Sequence, residues 1–530
     1  MRGGVVNDRG RWVPTMRNGK LGSVADAAVG LAALGVGEAV AAVGGDSLID
    51  TVGRALIDAA PTPVVEATVA LSGRHDKEVT RIGVGAGAVA AAVGLAVLPE
   101  RIRLLGAAVF GAGAAALATR RATRSGAAFT GAIAAAGVLG FGMRGRSRAR
   151  GGSAESFGGS AGSLLVESLG GSAELLGGVA DSRRRWPRTM LYAAAGVGLL
   201  AIAQRAQRAR DRKQEQLIRA VGPMGALGVV PEDGLEDEPG LPALYTANER
   251  FYVADVNLRP PRLDPNRWRL AVTGLVAHPL RLSLNELALD AVEFDAVMVC
   301  VHNRPGQGRV GNARWFGVPL TELLAHALPD DNATRLVTKA VDGYTISLPL
   351  EPLRTGEWPG YLVIGMNGAP LPPEHGFPAR VIVPGSYGQY AGAKWLTGLE
   401  ITDDSQVDYW WRRGWPRGPL WISPQARIDV AAPGRIAAGT TTMAGVAWAP
   451  PNGVARVELR VGEGDWQTTD LGAELAPAAW RRWRITLPLP PGEHVVQARA
   501  IGNDGQVQEG VARPPFPNGP AGYHTLTVRV

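Results

Sequence analysis

The sequence predicts a multidomain chain: an α-helical transmembrane region, then a mixed α+β domain, then a terminal β-sandwich. Three observations predict it. Apolar runs bounded by charge crowd the first two hundred residues. From about 244 to 402, short strand-like runs such as Val381-Ile382-Val383 alternate with Gly and Pro turns and short helical pieces such as 320–327. In the last hundred residues Val457, Leu459 and Val461 alternate with Arg456, Glu458 and Arg460, the period-two pattern of a half-buried strand. At 530 residues the chain is also too long for a single core, which stops growing near ~250–300 residues.

The membrane expectation rests on residues 25–45, 82–98, 104–119, 127–143 and 190–203, read as five spanning helices. A bilayer core asks for roughly 17–25 apolar residues, and these Ala- and Gly-rich runs lie near the lower end. Arg2, Arg9, Arg11, Arg17 and Lys20 precede the first run, and the loop 144–188 is heavily basic. The positive-inside rule puts both in the cytoplasm, so the chain after Gln204 falls on the outer face of the cell membrane. Basic charge beside apolar runs reads as membrane topology, with lipid as a partner and no nucleic acid. Glu38 lies inside the first run, where an unpaired carboxylate is expensive. Ser182-Arg183-Arg184-Arg185-Trp186 reads either as anchor charges or as an internal twin-arginine export signal. The alternative for the whole region is an alanine-rich helical bundle. On this reading 1–206 form a membrane domain, and the charged, then Gly-, Pro- and acid-rich stretch 207–242 is a linker.

A single cysteine excludes an intramolecular disulfide and any cysteine-pair zinc site. None of the seven histidines falls in the five apolar runs, so a membrane haem held by two histidines is not expected. The cysteine itself, Cys300, lies at a strand end before the loop His302-Asn303-Arg304-Pro305-Gly306. A thiolate suits a soft metal, and Arg304 and Arg309 favour the deprotonated form. Without further context, a free cysteine is more often a small buried apolar residue.

Four motifs in one order supply that context. Cys300, Asn303 and Arg304 resemble the Cys-x-x-Asn-Arg motif of the sulfite oxidase family of molybdenum-pterin enzymes. Asp342-Gly343-Tyr344 and the strand after it resemble a second family segment. Leu371 to Gly385, with the later Lys394-Trp395, resemble a third, and Asn248 to Val253 a fourth. The resemblance covers about 244–530. It implies a molybdenum-pterin catalytic domain over 243–405 and an immunoglobulin-like, dimerisation-type sandwich over 420–530, hence a homodimer. The membrane half resembles a bacterial, membrane-attached subgroup.

The same resemblance implies molybdenum-molybdopterin as cofactor, Cys300 as the protein's ligand to the metal, and Asn248, Tyr252, Asn303, Tyr344, His375, Arg380 and Lys394 as pterin contacts. Arg304 and Tyr409 join Cys300 in catalysis. Physical chemistry agrees at the phosphate, where a guanidinium offers a fork, an ammonium a point charge and the 385–392 loop its backbone amides. The implied reaction is two-electron oxygen-atom transfer on a small sulfite-like or sulfoxide-like substrate. Electrons pass to or from an external quinone, cytochrome or small redox protein, because the chain has no haem-ligand pair or iron-sulfur cysteine set. Two departures bear on the substrate: Ala254 and Pro305 stand where sulfite-oxidising members carry arginine. They sustain an alternative, a metal-free membrane-attached scaffold that keeps the fold. His302, two residues from the thiol, reads either as a group that titrates near neutral pH and relays protons or as an imidazole that hydrogen-bonds loop backbone.

Overall fold

A computed structural model describes residues 185–530 apart from 227, 256 and 434–438; before 185 it describes 4–6, 12–14 and isolated positions between 38 and 84. Its contacts divide into two units, 1–212 with 256–258, and 213–255 with 259–530. In the first, strands β1 (Gly4–Val6) and β2 (Trp12–Pro14) pair antiparallel. Buried Glu38 accepts hydrogen bonds from the Ser47 hydroxyl at 3.2 Å and the Ile49 amide at 2.5 Å. Helix α1 (Arg185–Val221) leads from this unit into the second.

The membrane expectation is corrected here. Among the described residues no helix is long and apolar enough to cross a membrane. The run 190–203 lies in α1, but its ~14 residues reach only about 21 Å at 1.5 Å per residue, against a hydrocarbon core of about 30 Å. Arg205, Arg208, Arg210, Asp211, Arg212 and Lys213 follow within the same helix. The predicted α-helical transmembrane region, and with it the multi-pass location and outer-face placement, therefore does not stand. The four earlier runs lie outside the described residues, save isolated positions such as Glu38.

The second unit opens with β3 (Leu270–Gly274), β4 (Leu280–Leu282), α2 (Leu284–Leu289), β5 (Val292–Val299), β6 (Val310–Pro319) and α3 (Leu320–Ala327). There follow β7 (Arg335–Ala340), β8 (Thr345–Pro349), α4 (Glu351–Thr355), β9 (Tyr361–Met366), β10 (Ala369–Pro370), β11 (Arg380–Ile382) and β12 (Leu396–Thr402). Two five-stranded sheets result, ordered β4-β3-β12-β7-β8 and β10-β9-β6-β5, with β11 on β9. The β12–β3 pair is parallel; the other pairs are antiparallel.

Local chemistry sets the helices. Ser283 and Glu286 form a reciprocal capping box at the start of α2. In α3, Leu320, Leu323, Leu324 and Ala327 recur at i, i+3, i+4 and i+7, and all four are buried. Their core neighbours include Trp315, Leu362 and Ile364, each fully buried.

Two four-stranded antiparallel sheets make the sandwich. One orders β13 (Gln425–Pro433), β14 (Thr440–Trp448), β18 (Arg481–Pro488) and β17 (Asp470–Leu471). The other orders β16 (Gln467–Thr468), β15 (Val454–Val461), β19 (Glu493–Gly502) and β20 (His524–Arg529). Val457 and Leu459 enter the core. Glu458, expected to face water, is also buried, because Arg456 and Arg499 reach its carboxylate at 2.8 and 2.6 Å.

The Gly-, Pro- and acid-rich stretch is fastened to this sandwich. Buried Asp233 accepts from the Arg482 Nε at 2.6 Å, and its carbonyl accepts from the Ala473 amide at 2.8 Å. The Leu244 carbonyl receives hydrogen bonds from Asn312 Nδ2 and Trp480 Nε1, both at 2.9 Å. A shared core including Val299, Val310, Tyr387, Trp415 and Trp448 continues the join beneath the cysteine strand.

Candidate cofactor site

β5 carries the chain to Cys300. Its pairing with β6 runs from Val292↔Gly317 to Val299↔Val310, and the Cys300 amide then donates to the Arg309 carbonyl at 3.0 Å. A tight turn follows, in which the Asn303 amide donates to the Cys300 carbonyl at 2.8 Å. Asn303 is wholly buried, and its Oδ1 accepts from the Arg309 amide at 2.7 Å. Its Nδ2 has no hydrogen-bond partner among the described residues.

Cys300 is half-buried. Burial pushes the thiol up; a backbone hydrogen bond at His302 and the Arg309 charge pull the other way. His302 stands edge-on to Trp415, 6.1 Å between centroids. Burial, with Arg309 and Arg304 nearby, pushes it down to about 4, so the expectation of titration near neutral pH is corrected: the ring is uncharged there. Arg304 is exposed.

Arg380 lies within electrostatic reach of two tyrosines, Tyr252 and Tyr344. Arg380, on β11 and 5% exposed, donates from Nη1 to the His375 carbonyl at 3.2 Å, and its cation lies 6.0 Å from the Trp315 ring. Its Nε is buried without a hydrogen-bond partner among the described residues. Burial lowers this guanidinium to about 10, while Tyr252 and Tyr344 act in the opposite direction. Tyr252 is pushed well up by burial first and the Cys300 charge second. Tyr344 donates to the Gln389 carbonyl at 3.2 Å and accepts from the Trp410 indole. Tyr409 lies 5.0 Å from Tyr344, with the Arg413 guanidinium 4.6 Å from its ring centroid.

A second cluster adjoins Arg380. His375 Nε2 lies 3.0 Å from the Asn248 carbonyl, and burial pushes this imidazole down to about 4. Asn248 Nδ2 donates to the Met366 carbonyl at 3.3 Å, and its Oδ1 accepts from Asn367 at 2.8 Å. Lys394 donates to Asp255 at 2.7 Å and to the Glu374 carbonyl at 2.8 Å, with its ammonium 4.7 Å from the Trp395 ring. Gly376, at φ +112°, separates the two cations: a Cβ built on it would stand 3.1 Å from the Lys394 Cβ and 3.2 Å from the Arg380 Cβ.

The fold thus links Cys300, Tyr252, Arg380, Tyr344 and Tyr409 into one neighbourhood, and His375, Asn248 and Lys394 into the one beside it. Sequence reasoning did not select Asp255, Tyr387 or Trp410. Asp255 meets a partner 139 positions away, a pairing with no local signature. Tyr387 lies in the 385–392 loop and Trp410 directly follows Tyr409, the signals that were available.

Among the described residues no three His, Cys, Asp or Glu side chains are placed to hold a metal ion. One soft sulfur, with two buried N–H donors that have no partner among the described residues, instead suits a centre that brings most of its own ligands and an anionic tail.

Comparison with known proteins agrees. Residues 257–410 match the family described as the oxidoreductase molybdopterin binding domain. Mitochondrial sulfite oxidase of Homo sapiens is 30% identical over 296 residues, covering 47% of this chain and 54% of that protein. The chain thus spans about half the length of such curated relatives. The uncharacterized oxidoreductase YuiH of Bacillus subtilis (strain 168) is 32% identical over 190 residues, 36% of this chain and 87% of that protein. The solved sulfane dehydrogenase SoxCD of Paracoccus pantotrophus aligns over 51% of this chain and 77% of its own, at 24% identity and a TM-score of 0.44. With its cysteine strand, its cofactor-binding domain match and its similarity to YuiH over most of that protein's length, the chain belongs to the sulfite oxidase family of molybdopterin oxidoreductases.

Proposed function

We propose that residues 243–405 bind one molybdenum-molybdopterin and catalyse two-electron oxygen-atom transfer on a small, sulfite-like or sulfoxide-like substrate. The observation that carries this reading is the Arg380 guanidinium, a buried cation whose Nε has no hydrogen-bond partner among the described residues. A buried cation left incompletely paired is costly, and an anionic ligand relieves that cost.

Each residue then has a task. Cys300 binds the metal as thiolate and loses its proton on loading, a step that burial makes harder. Arg380 and Lys394 hold the pterin phosphate, the first as a fork and the second as a point charge. His375, uncharged at neutral pH, orients the pterin while anchored to the Asn248 backbone. Asn303 offers its buried Nδ2, and Tyr252 and Tyr344 exclude water from the cofactor's face. When bound, the cofactor supplies the redox and oxygen-transfer chemistry. Tyr409 and Arg304 face the substrate, Tyr409 as a hydrogen-bond donor and Arg304 as a solvent-side cation. Electrons pass to or from an external quinone, cytochrome or small redox protein.

Of the two substrate classes, Ala254 and Pro305 favour the less charged, sulfoxide-like one, since neither offers an anion a partner. Metal analysis and dye-coupled assays on the full chain from a cofactor-competent host test the proposal. One molybdenum per chain with turnover of either substrate class is expected; a stable chain without molybdenum would leave the scaffold reading in its place.

A further inference from the structure

Asp255 occupies an unusual position for a carboxylate in a site that is to receive an anion. Its side chain is 6% exposed and Lys394's 11%, so the 2.7 Å contact between them is a largely enclosed, part-buried ion pair. Lys394 is fixed where it stands. Trp395, the next residue, adopts the left-handed region at φ +53°, a strained conformation for a tryptophan. It is held by an amide donation to the Gly376 carbonyl at 3.2 Å and an indole donation to the Pro373 carbonyl at 2.7 Å. The Lys394 ammonium is further tied to the Glu374 carbonyl.

Lys394 and Arg380 contribute +2, Asp255 contributes −1, and His375 is neutral near pH 7. The cofactor-free cluster therefore holds +1. A phosphate monoester brings about −1.5 to −2, which takes the filled cluster past neutrality. With an uncharged residue at 255 the cluster would hold +2 empty and come close to neutral when filled.

We propose that Asp255 is a built-in counter-ion of the cofactor-phosphate subsite: it holds Lys394 paired and in place before the cofactor arrives, and thereby weakens the site's affinity for the phosphate. The inference rests on the reading of Arg380 and Lys394 as the phosphate site. It makes Asp255 a positioning residue, acting through Lys394 on binding.

The test uses the full chain made in a host unable to synthesise the pterin, with inorganic phosphate as probe, followed by calorimetric titration and thermal unfolding. Asp255→Asn should bind phosphate roughly tenfold more tightly, the scale of one short charge–charge contact. It should also melt lower than the parent without phosphate and gain more from its addition. Asp255→Glu, which keeps the charge, should bind phosphate within a few-fold of the parent. Asp255→Ser serves for the same comparison if the asparagine variant does not fold. Equal phosphate affinity in the neutral variants and the parent, or weaker binding in the neutral variants, overturns the counter-ion role. Arg380→Gln separates the two levels. If it abolishes phosphate binding while Asp255→Asn changes nothing, only the Asp255 inference falls; if it leaves phosphate binding intact, the phosphate-site reading fails and the inference goes with it.

Discussion

The imidazole Nε2 of His375 lies 3.0 Å from the carbonyl oxygen of Asn248, joining residues 127 positions apart. Burial favours the uncharged ring and pushes it down to about 4 from an ordinary value near 6.5. Between those two pH values the unfolded chain binds a proton that the folded chain refuses. The stabilisation from this group is complete above about pH 6.5 and is lost as pH falls toward 4, at roughly 1.4 kcal/mol per pH unit. His375→Gln is therefore expected to flatten the acid side of the stability profile. Urea unfolding between pH 4 and 7 measures this, and identical slopes for variant and parent would contradict it.

Cys300→Ser should abolish molybdenum binding while the domain keeps its circular dichroism spectrum, since the backbone bonds of Cys300 to Arg309 and Asn303 do not involve sulfur. Because burial raises the thiol, loading of the parent chain should slow as pH is lowered. Elemental analysis at several loading pH values checks both. A serine variant that retains a full complement of molybdenum would falsify the ligand assignment.

Arg482 and Asp233 are 8% and 2% exposed, and removing one partner strands a buried charge. Arg482→Met is expected to cost about 3–5 kcal/mol. The double variant with Asp233→Asn should recover most of that loss. Chemical denaturation resolves the three proteins, and molybdenum per folded chain should stay the same in all of them.

Gly376→Ala combines an unfavourable φ of +112° with a methyl group 3.1 to 3.2 Å from the Lys394 and Arg380 Cβ atoms. It should lower stability by about 1–3 kcal/mol and reduce molybdenum content. Gly343→Ala is the control: its φ of +83° carries the backbone cost, but nothing lies within 4 Å of the added carbon. Equal molybdenum content in the two variants would remove the argument that Gly376 spaces the two cations.

Features encoded over a few residues were readable from the chain alone. The 320–327 stripe became α3, and the run ending at Val299 delivered Cys300 to a strand end. Features made by distant partners were not. Glu458 reads as a solvent-facing position until Arg499, 41 residues on, is brought against it. Asp255 and Lys394 are likewise joined only by the fold. His302 shows the other limit: its residue type points to neutral-pH titration, but its burial and its two arginine neighbours decide otherwise. For 190–203 apolar character was legible, yet the physics turned on length and on the charges that follow within the same helix.

The Leu244 carbonyl, which accepts at once from Asn312 of β6 and from Trp480 at the head of β18, has a practical consequence for anyone wishing to divide this protein. Expressing 243–405 without the sandwich would leave Asn312 to hold that oxygen alone and would bare the Val297 and Val299 side of the cysteine strand to water. The minimal catalytic fragment therefore extends through the last strand, and a shorter one should emerge as an aggregate before it could be assayed.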